Sequence, residues 1–303
     1  MAYPYLQDLI EAATGLHVPL PLPTFGLCVA LAVLVSMAVA RLELRRLHAT
    51  GRIGLALARR RDGSWSSVPP QDLVTDLALI VVIAGIVGAR LFSVAEHPYA
   101  LLSHPLDLLL TRQGFNFYGA LAFGTLAGTL FLRRHRLPLA ACCDALAPAL
   151  MLGYALGRIG CQLSGDGDWG IAASLALKPE WLPTPLWAQT YEHNILGVSI
   201  APPGVYPTPL YETAMGLFLF GILWSVREHP FRDGWLFSLY LVLCAVERLI
   251  IEPLRVNERV HLLGLAATQA QIISAVLLVL GLTGLVLASR VRRSRAPQSP
   301  RSV

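Results

Sequence analysis

Charge is what this 303-residue chain has least of. Asp, Glu, Lys and Arg together supply 14% of it, against roughly a quarter in an ordinary soluble domain, while 55% is hydrophobic. That imbalance argues against a soluble globular protein. Cysteine is also sparse. The five cysteines show no CxxC spacing, and Cys28, Cys142, Cys143 and Cys244 lie inside apolar runs, which gives neither a disulfide framework nor a zinc ribbon. The histidines show no HxxxH or HExxH spacing, so no metal is predicted. Before Arg41 there is no Lys or Arg, only Asp8 and Glu11; a signal-peptide n-region is therefore missing, and the N-terminus is expected outside. No solenoid-period repeat or half-to-half duplication is present, which counts against a transporter.

What the chain has instead is long apolar runs. A bilayer core of about 30 Å takes about 20 apolar residues as a helix, and seven windows qualify: Leu22 to Ala40, Leu73 to Phe92, Phe115 to Leu132, Ala140 to Gly160, Leu210 to Val226, Trp235 to Glu252 and Ala270 to Ser289. Barrel strands would alternate in polarity, and these runs do not. The prediction is an all-α integral membrane protein with seven transmembrane helices. Basic residues set its orientation. Seventeen of the 24 lie in the segment Arg41 to Asp72, after span three, between spans five and six, and at the C-terminus, which places those segments in the cytoplasm. The whole chain, 1–303, then forms a single transmembrane domain, N-terminus outside and C-terminus cytoplasmic. A Gly-, Pro- and Trp-rich head, 161–209, is inserted outside between spans four and five. The basic loops are read as membrane-facing topology signals, with membrane lipids as neighbours and no nucleic acid as partner.

Charged groups within spans are costly and mark function by default. Here they gather on one side. Arg90 closes span two, Arg112 precedes span three, Asn116 and Tyr118 open span three, and Arg158 closes span four. Asp166 and Asp168 follow span four, Glu212 opens span five, Arg248 lies within span six, and Glu252 and Arg255 end it. All of these fall at the external leaflet, which points to one polar cavity there. Arg248, Glu252 and Arg255 stand at i, i+4 and i+7 and share a helical face, and Pro253 should bend or stop that helix. Gly153, Gly157 and Gly160 should let span four approach a neighbour closely. The plain alternative is that the arginines only pair with Glu212, Glu247 and Glu252 to hold the bundle. Cys161 lacks a His or helix start to activate it and reads as a small packing residue.

The segments GARL (Gly88 to Leu91), GFNFYGALAFG (Gly114 to Gly124), GRIGCQLSGDGDWG (Gly157 to Gly170), YPTPLYE (Tyr206 to Glu212), ERLIIEPLR (Glu247 to Arg255) and AQIIS (Ala270 to Ser274) together resemble the prolipoprotein diacylglyceryl transferase family. The resemblance implies a multi-pass enzyme of the bacterial cytoplasmic (inner) membrane. Its lipid substrate is phosphatidylglycerol, and its peptide substrate is the signal peptide of a preprolipoprotein bearing a lipobox cysteine; no cofactor is used. Carried over by position, Arg158 matches the essential arginine of the GRxGN signature and Arg248 that of the RxxxExxR pattern, which Glu252 and Arg255 complete. Asp166 or Asp168 stands near the acidic residue after the signature. Arg90 and Glu212 fit the GGR and HPxQLYE segments. Asn116, Cys161, Asp168 and Gln271 join Arg90, Glu212 and Arg255 as expected substrate contacts. Three positions depart from the pattern: Tyr118 replaces a histidine, Phe25 a tyrosine, and Cys161 the signature asparagine.

The chemistry suits these residues. A diacylglyceryl carbon is attacked by thiolate sulfur while glycerol phosphate leaves, and arginine offers a permanent planar partner for the phosphate. Arg158 and Arg248 are expected in that role. The thiol must lose its proton. Tyr118, with an ordinary pKa near 10, is expected to orient substrate while Glu252 or Asp166 accepts the proton. A relative that binds lipid or lipoprotein without catalysis is the second reading.

Overall fold

The structure, a computed structural model, describes residues 2–59, 63–95, 117–257, 259–262 and 265–290. Arg112 and the candidate contact Asn116 lie outside the described residues. The chain order is α1 (Leu6–Thr14), α2 (Thr24–Ala49), β1 (Ala56–Arg59), β2 (Trp65–Val68), α3 (Val74–Ala95), α4 (Phe117–Arg134), α5 (Leu139–Ser164), α6 (Thr208–Ser225), α7 (Trp235–Ile251), β3 (Arg259–Leu262), β4 (Leu265–Thr268) and α8 (Gln269–Ala288). Sheet among the described residues is limited to two antiparallel pairs, β1 with β2 and β3 with β4. Four segments, Thr24–Ala49, Pro70–Ala95, Leu139–Ser164 and Gln269–Ala288, are long and apolar enough to cross a membrane. This is a helical architecture consistent with an integral membrane protein. Helices also occupy the other three windows, but α4, α6 and α7 are shorter, at 18, 18 and 17 residues.

Contacts divide the chain into two compact units, 1–36 with 146–303, and 37–145. In the second unit α3 and α4 meet backbone to backbone at Gly88 and Gly119. A Cβ on Gly88 would lie 2.5 Å from Phe123 Cβ and closer still to the Gly119 carbonyl oxygen, and one on Gly119 would strike Gly88 in return. Only glycine permits this backbone approach. Phe92 and Phe123 meet edge to face beside it, 6.4 Å apart. Below, Leu57 of β1 donates its N–H to the His135 carbonyl at 3.1 Å, and the His135 ring returns a bond to the Leu57 carbonyl. The basic segment after α2 thus carries a hairpin where the sequence had suggested only a loop.

In the first unit, α5 packs on α2 through Gly153 and Gly160. Added Cβ atoms there would lie 2.5 Å from Ser36 Oγ and 3.0 Å from Cys28 Cβ. Gly157, expected to share that contact, faces open space, so the close approach uses two of the three glycines. Pro253 ends α7 in a 3-10 turn, Glu252–Leu254. α8 starts on a capping box, with the Gln271 N–H given to Thr268 Oγ1 at 3.2 Å and the Thr268 N–H given to Gln271 Oε1 at 3.0 Å.

Candidate active site

The first unit builds the polar site from the C-terminal turns of α5, the first turns of α6, the end of α7 and the segment after α5. Glycine shapes that segment. Gly165 and Gly167 take φ of 61° and 97°, values that L residues adopt with strain. Gly170 then passes so close to the end of α7 that a Cβ would stand 2.5 Å from the Leu254 carbonyl oxygen. Two backbone bonds fasten it, Gly170 N to Tyr206 O at 2.8 Å and Ile171 N to Leu254 O at 2.7 Å, and Thr208 Oγ1 holds the Asp168 carbonyl at 2.7 Å. The outcome is that Asp168 is delivered beside Arg255.

Three arginines converge on one carboxylate. Glu212, wholly buried, receives Arg158 Nε at 3.4 Å, Arg248 Nη1 at 3.4 Å and Arg255 Nη1 at 3.2 Å. Asp168 receives both Arg158 Nη1 and Arg255 Nη2, the latter at 2.8 Å. Glu252 receives Arg248 Nη2 at 3.0 Å, and its other oxygen accepts from Asn257 Nδ2 at 2.9 Å and from the Thr268 hydroxyl. Burying a charge is costly unless it is paired and hydrogen-bonded, and each of these groups is paired more than once. The Asp168 side chain is 37% exposed where Glu212 and Glu252 are 0% and 1%, so it is the wet edge of the network. Burial alone would raise the Asp168 carboxyl, but Arg158 and Arg255 outweigh it and hold it below the usual carboxylate range. Asp166 goes the other way, raised by burial and then by the neighbouring Asp168 charge. Its carboxylate lies within 4.8 Å of the Cys161 sulfur.

The structure therefore gathers Arg158, Arg248, Arg255, Glu212, Glu252 and Asp168 into one network, with Cys161 and Asp166 adjoining it. Gln271 caps α8 beside Thr268, one bond away from Glu252. Arg90 and Tyr118 sit on α3 and α4 in the second unit, both half-buried. Cys161, Asp166 and Asp168 bring one donor atom each within 4.8 Å of one another. That set could hold a metal ion, but the two guanidinium groups on Asp168 oppose a cation there. Two residues absent from the expected site join it. Tyr154 places its ring 5.3 Å from the Arg158 guanidinium carbon and donates its hydroxyl to Glu247 Oε1 at 2.9 Å. The signal was their spacing, Tyr154 one turn before Arg158 and Glu247 next to Arg248, but an aromatic within a span reads as core by default.

A family model for prolipoprotein diacylglyceryl transferases matches residues 12–287. The chain belongs to that family. Relatives named phosphatidylglycerol–prolipoprotein diacylglyceryl transferase include one of Corynebacterium diphtheriae, 26% identical over 284 residues, which cover 91% of this chain and 92% of the relative. A second, numbered 2 in its name, is from Streptomyces coelicolor, 30% identical over 86% of this chain and 75% of its own. A third, from Symbiobacterium thermophilum, is 33% identical over 73% of this chain and 78% of its own. The diacylglyceryl transferase match spans both contact units and every residue of the arginine network.

Proposed function

We propose that this chain transfers the diacylglyceryl group of phosphatidylglycerol to the lipobox cysteine of a preprolipoprotein. The cysteine sulfur bonds to the glyceryl carbon, the bond from that carbon to phosphate oxygen breaks, and glycerol phosphate leaves with the electron pair. The observation that carries this reading is the convergence of Arg158, Arg248 and Arg255 on Glu212, on the segments that match the family. Three guanidinium groups in a dry site offer planar paired donors to a phosphodiester, and they favour the extra negative charge that grows on it as the ester bond breaks. Arg158 and Arg248 bind the phosphate in this reading, and Arg255, the least exposed of the three, holds Asp168 and Glu212. Glu252 holds Arg248 in place. Asp166, raised by burial and adjoining the arginine network, takes the proton from the substrate thiol. Tyr118, Arg90 and Asn116 orient lipid or peptide.

All seven helices cross the bacterial inner membrane in this reading, with the N-terminus and the head outside, the C-terminus in the cytoplasm, and the arginine network at the outer leaflet. Reporter fusions within the head should give an external signal, and a cytoplasmic signal there sinks the topology. The transfer itself is tested with protein purified in nanodiscs, phosphatidylglycerol and a lipobox peptide. The expected result is a mass gain of one diacylglyceryl group on the peptide cysteine. A second reading, a non-catalytic lipid-binding relative, is favoured by one observation: Tyr118 stands where the family pattern has histidine. No transfer by the wild type together with transfer by Tyr118→His decides for that reading.

A further inference from the structure

Glu247 is the buried carboxylate of this region that no arginine takes. It is 5% exposed, and its hydrogen-bond partner is the Tyr154 hydroxyl at 2.9 Å. A buried carboxylate without an ion pair costs stability, so its retention needs a reason beyond packing. Arg158 supplies one. Tyr154 stands four residues before Arg158 on α5, one turn away on the same face, and the guanidinium carbon lies 5.3 Å from the ring centroid, inside the range of a cation–π contact. Its nitrogens are claimed by Asp168 and Glu212, and its central carbon lies over the Tyr154 ring.

We propose that Tyr154 and Glu247 are positioning residues for Arg158, the ring holding the guanidinium in place over its face and the carboxylate holding the ring. A phenol that donates to a carboxylate is electron-rich, because the bond draws the hydroxyl proton toward the acceptor, and its face then attracts a cation more strongly. The bond also fixes the line of the ring's long axis, since the hydroxyl is tied to α7 while the stem rises from α5. Arg158 is thereby held from a side that a bound phosphate does not use. Asp168, the other strong partner of Arg158, sits on the exposed glycine-flanked turn, whereas the Tyr154 contact stays when the guanidinium edge turns to substrate. This rests on the proposed role of Arg158 as a phosphate ligand.

The test is a cycle of variants in nanodiscs, read both by transfer to the lipobox peptide and by the affinity of glycerol phosphate, the released product. Tyr154→Phe keeps the ring and loses its tether; Tyr154→Leu loses both; Glu247→Gln keeps an acceptor without the charge. The expected falls in kcat are about a hundredfold for Tyr154→Leu, about tenfold for Tyr154→Phe and about fivefold for Glu247→Gln, with peptide KM unchanged. Because Tyr154→Phe removes the contact that Glu247→Gln only weakens, the double variant should be no worse than Tyr154→Phe alone. Glycerol phosphate affinity should fall in step in the wild-type background and show no further fall in Arg158→Ala. Equal losses in both backgrounds, additive losses in the double variant, or no loss at all overturn the proposal. If the wild type transfers nothing yet binds glycerol phosphate, the transferase reading falls and the affinity cycle still decides this one; if it binds none, the positioning role falls too.

Discussion

The helix pair α3 and α4 and the junction of α5, α6 and α7 both bring helices together, by opposite means. At α3 and α4 the agents are missing side chains, with Gly88 and Gly119 leaving room for backbone to meet backbone. At the other junction the agents are long charged side chains, with Arg158, Arg248 and Arg255 reaching across from two helices and a turn to Glu212. A glycine contact is dry, short and indifferent to what approaches it. The charged contact is redundant, since each carboxylate has more than one donor, and its donors are the groups that an anionic substrate needs. One junction can only be structural, while the other can lend its parts to chemistry.

The largest predicted effect breaks the charged junction. Arg158→Lys and Arg248→Lys should each abolish transfer, by about a thousandfold or more, while folded protein remains, because a point charge cannot copy a planar paired contact. Size-exclusion profiles and the lipidation assay check this together. The glycine junction should fail in the reverse sense. Gly88→Val forces a branched side chain into the Gly119 carbonyl and Phe123 and should cost about 3 kcal/mol of stability, visible as a lower melting temperature in detergent with activity falling only as folded protein is lost.

Tyr118→Phe should lower transfer by about one to two orders of magnitude, the range of a lost positioning contact. Arg255→Lys should do less harm than either Lys variant above, since in this reading Arg158 and Arg248 bind the phosphate while Arg255 holds Asp168 and Glu212. The smallest effect is in pH. Asp166 has a folded-state value raised above the unfolded value of about 3.9, so its ionisation disfavours the fold: stability is highest below the unfolded value and declines as pH climbs from there through the folded value. As proton acceptor it gives activity the opposite slope, rising with pH through the same window. Asp166→Asn should flatten the stability slope and remove most of the activity. Melting curves and transfer rates between pH 4 and 7 separate the two.

Much of this was legible in the chain. Helices fill the seven apolar windows because such runs have few other ways to satisfy their backbone, and Pro253 ended α7 where its missing N–H demanded. Arg248, Glu252 and Arg255 were found by helical spacing, and Asp168 and Glu212 by the cost of charge beside an apolar run. The hairpins went unread, since four-residue strands such as Ala56–Arg59 leave too little alternation to detect. Helix α1, nine residues long, is too short for a periodic signal to stand out. Tyr154 escaped for a different reason, and Glu247, read as an arginine partner, bonds Tyr154 instead. Their meaning lies in a contact between α5 and α7, 93 positions apart, which no local pattern encodes.

The place of Asp168 has a consequence for how an anion would feel this pocket. Arg158, one of the two arginines assigned to the phosphate, already grips its carboxylate, so a phosphodiester taking that donor makes an exchange, one monovalent partner for another. An open basic patch releases counterions on binding and weakens steeply with added salt. A pocket that carries its own counterion gives up a tethered one instead, and its grip on a headgroup should change little with ionic strength.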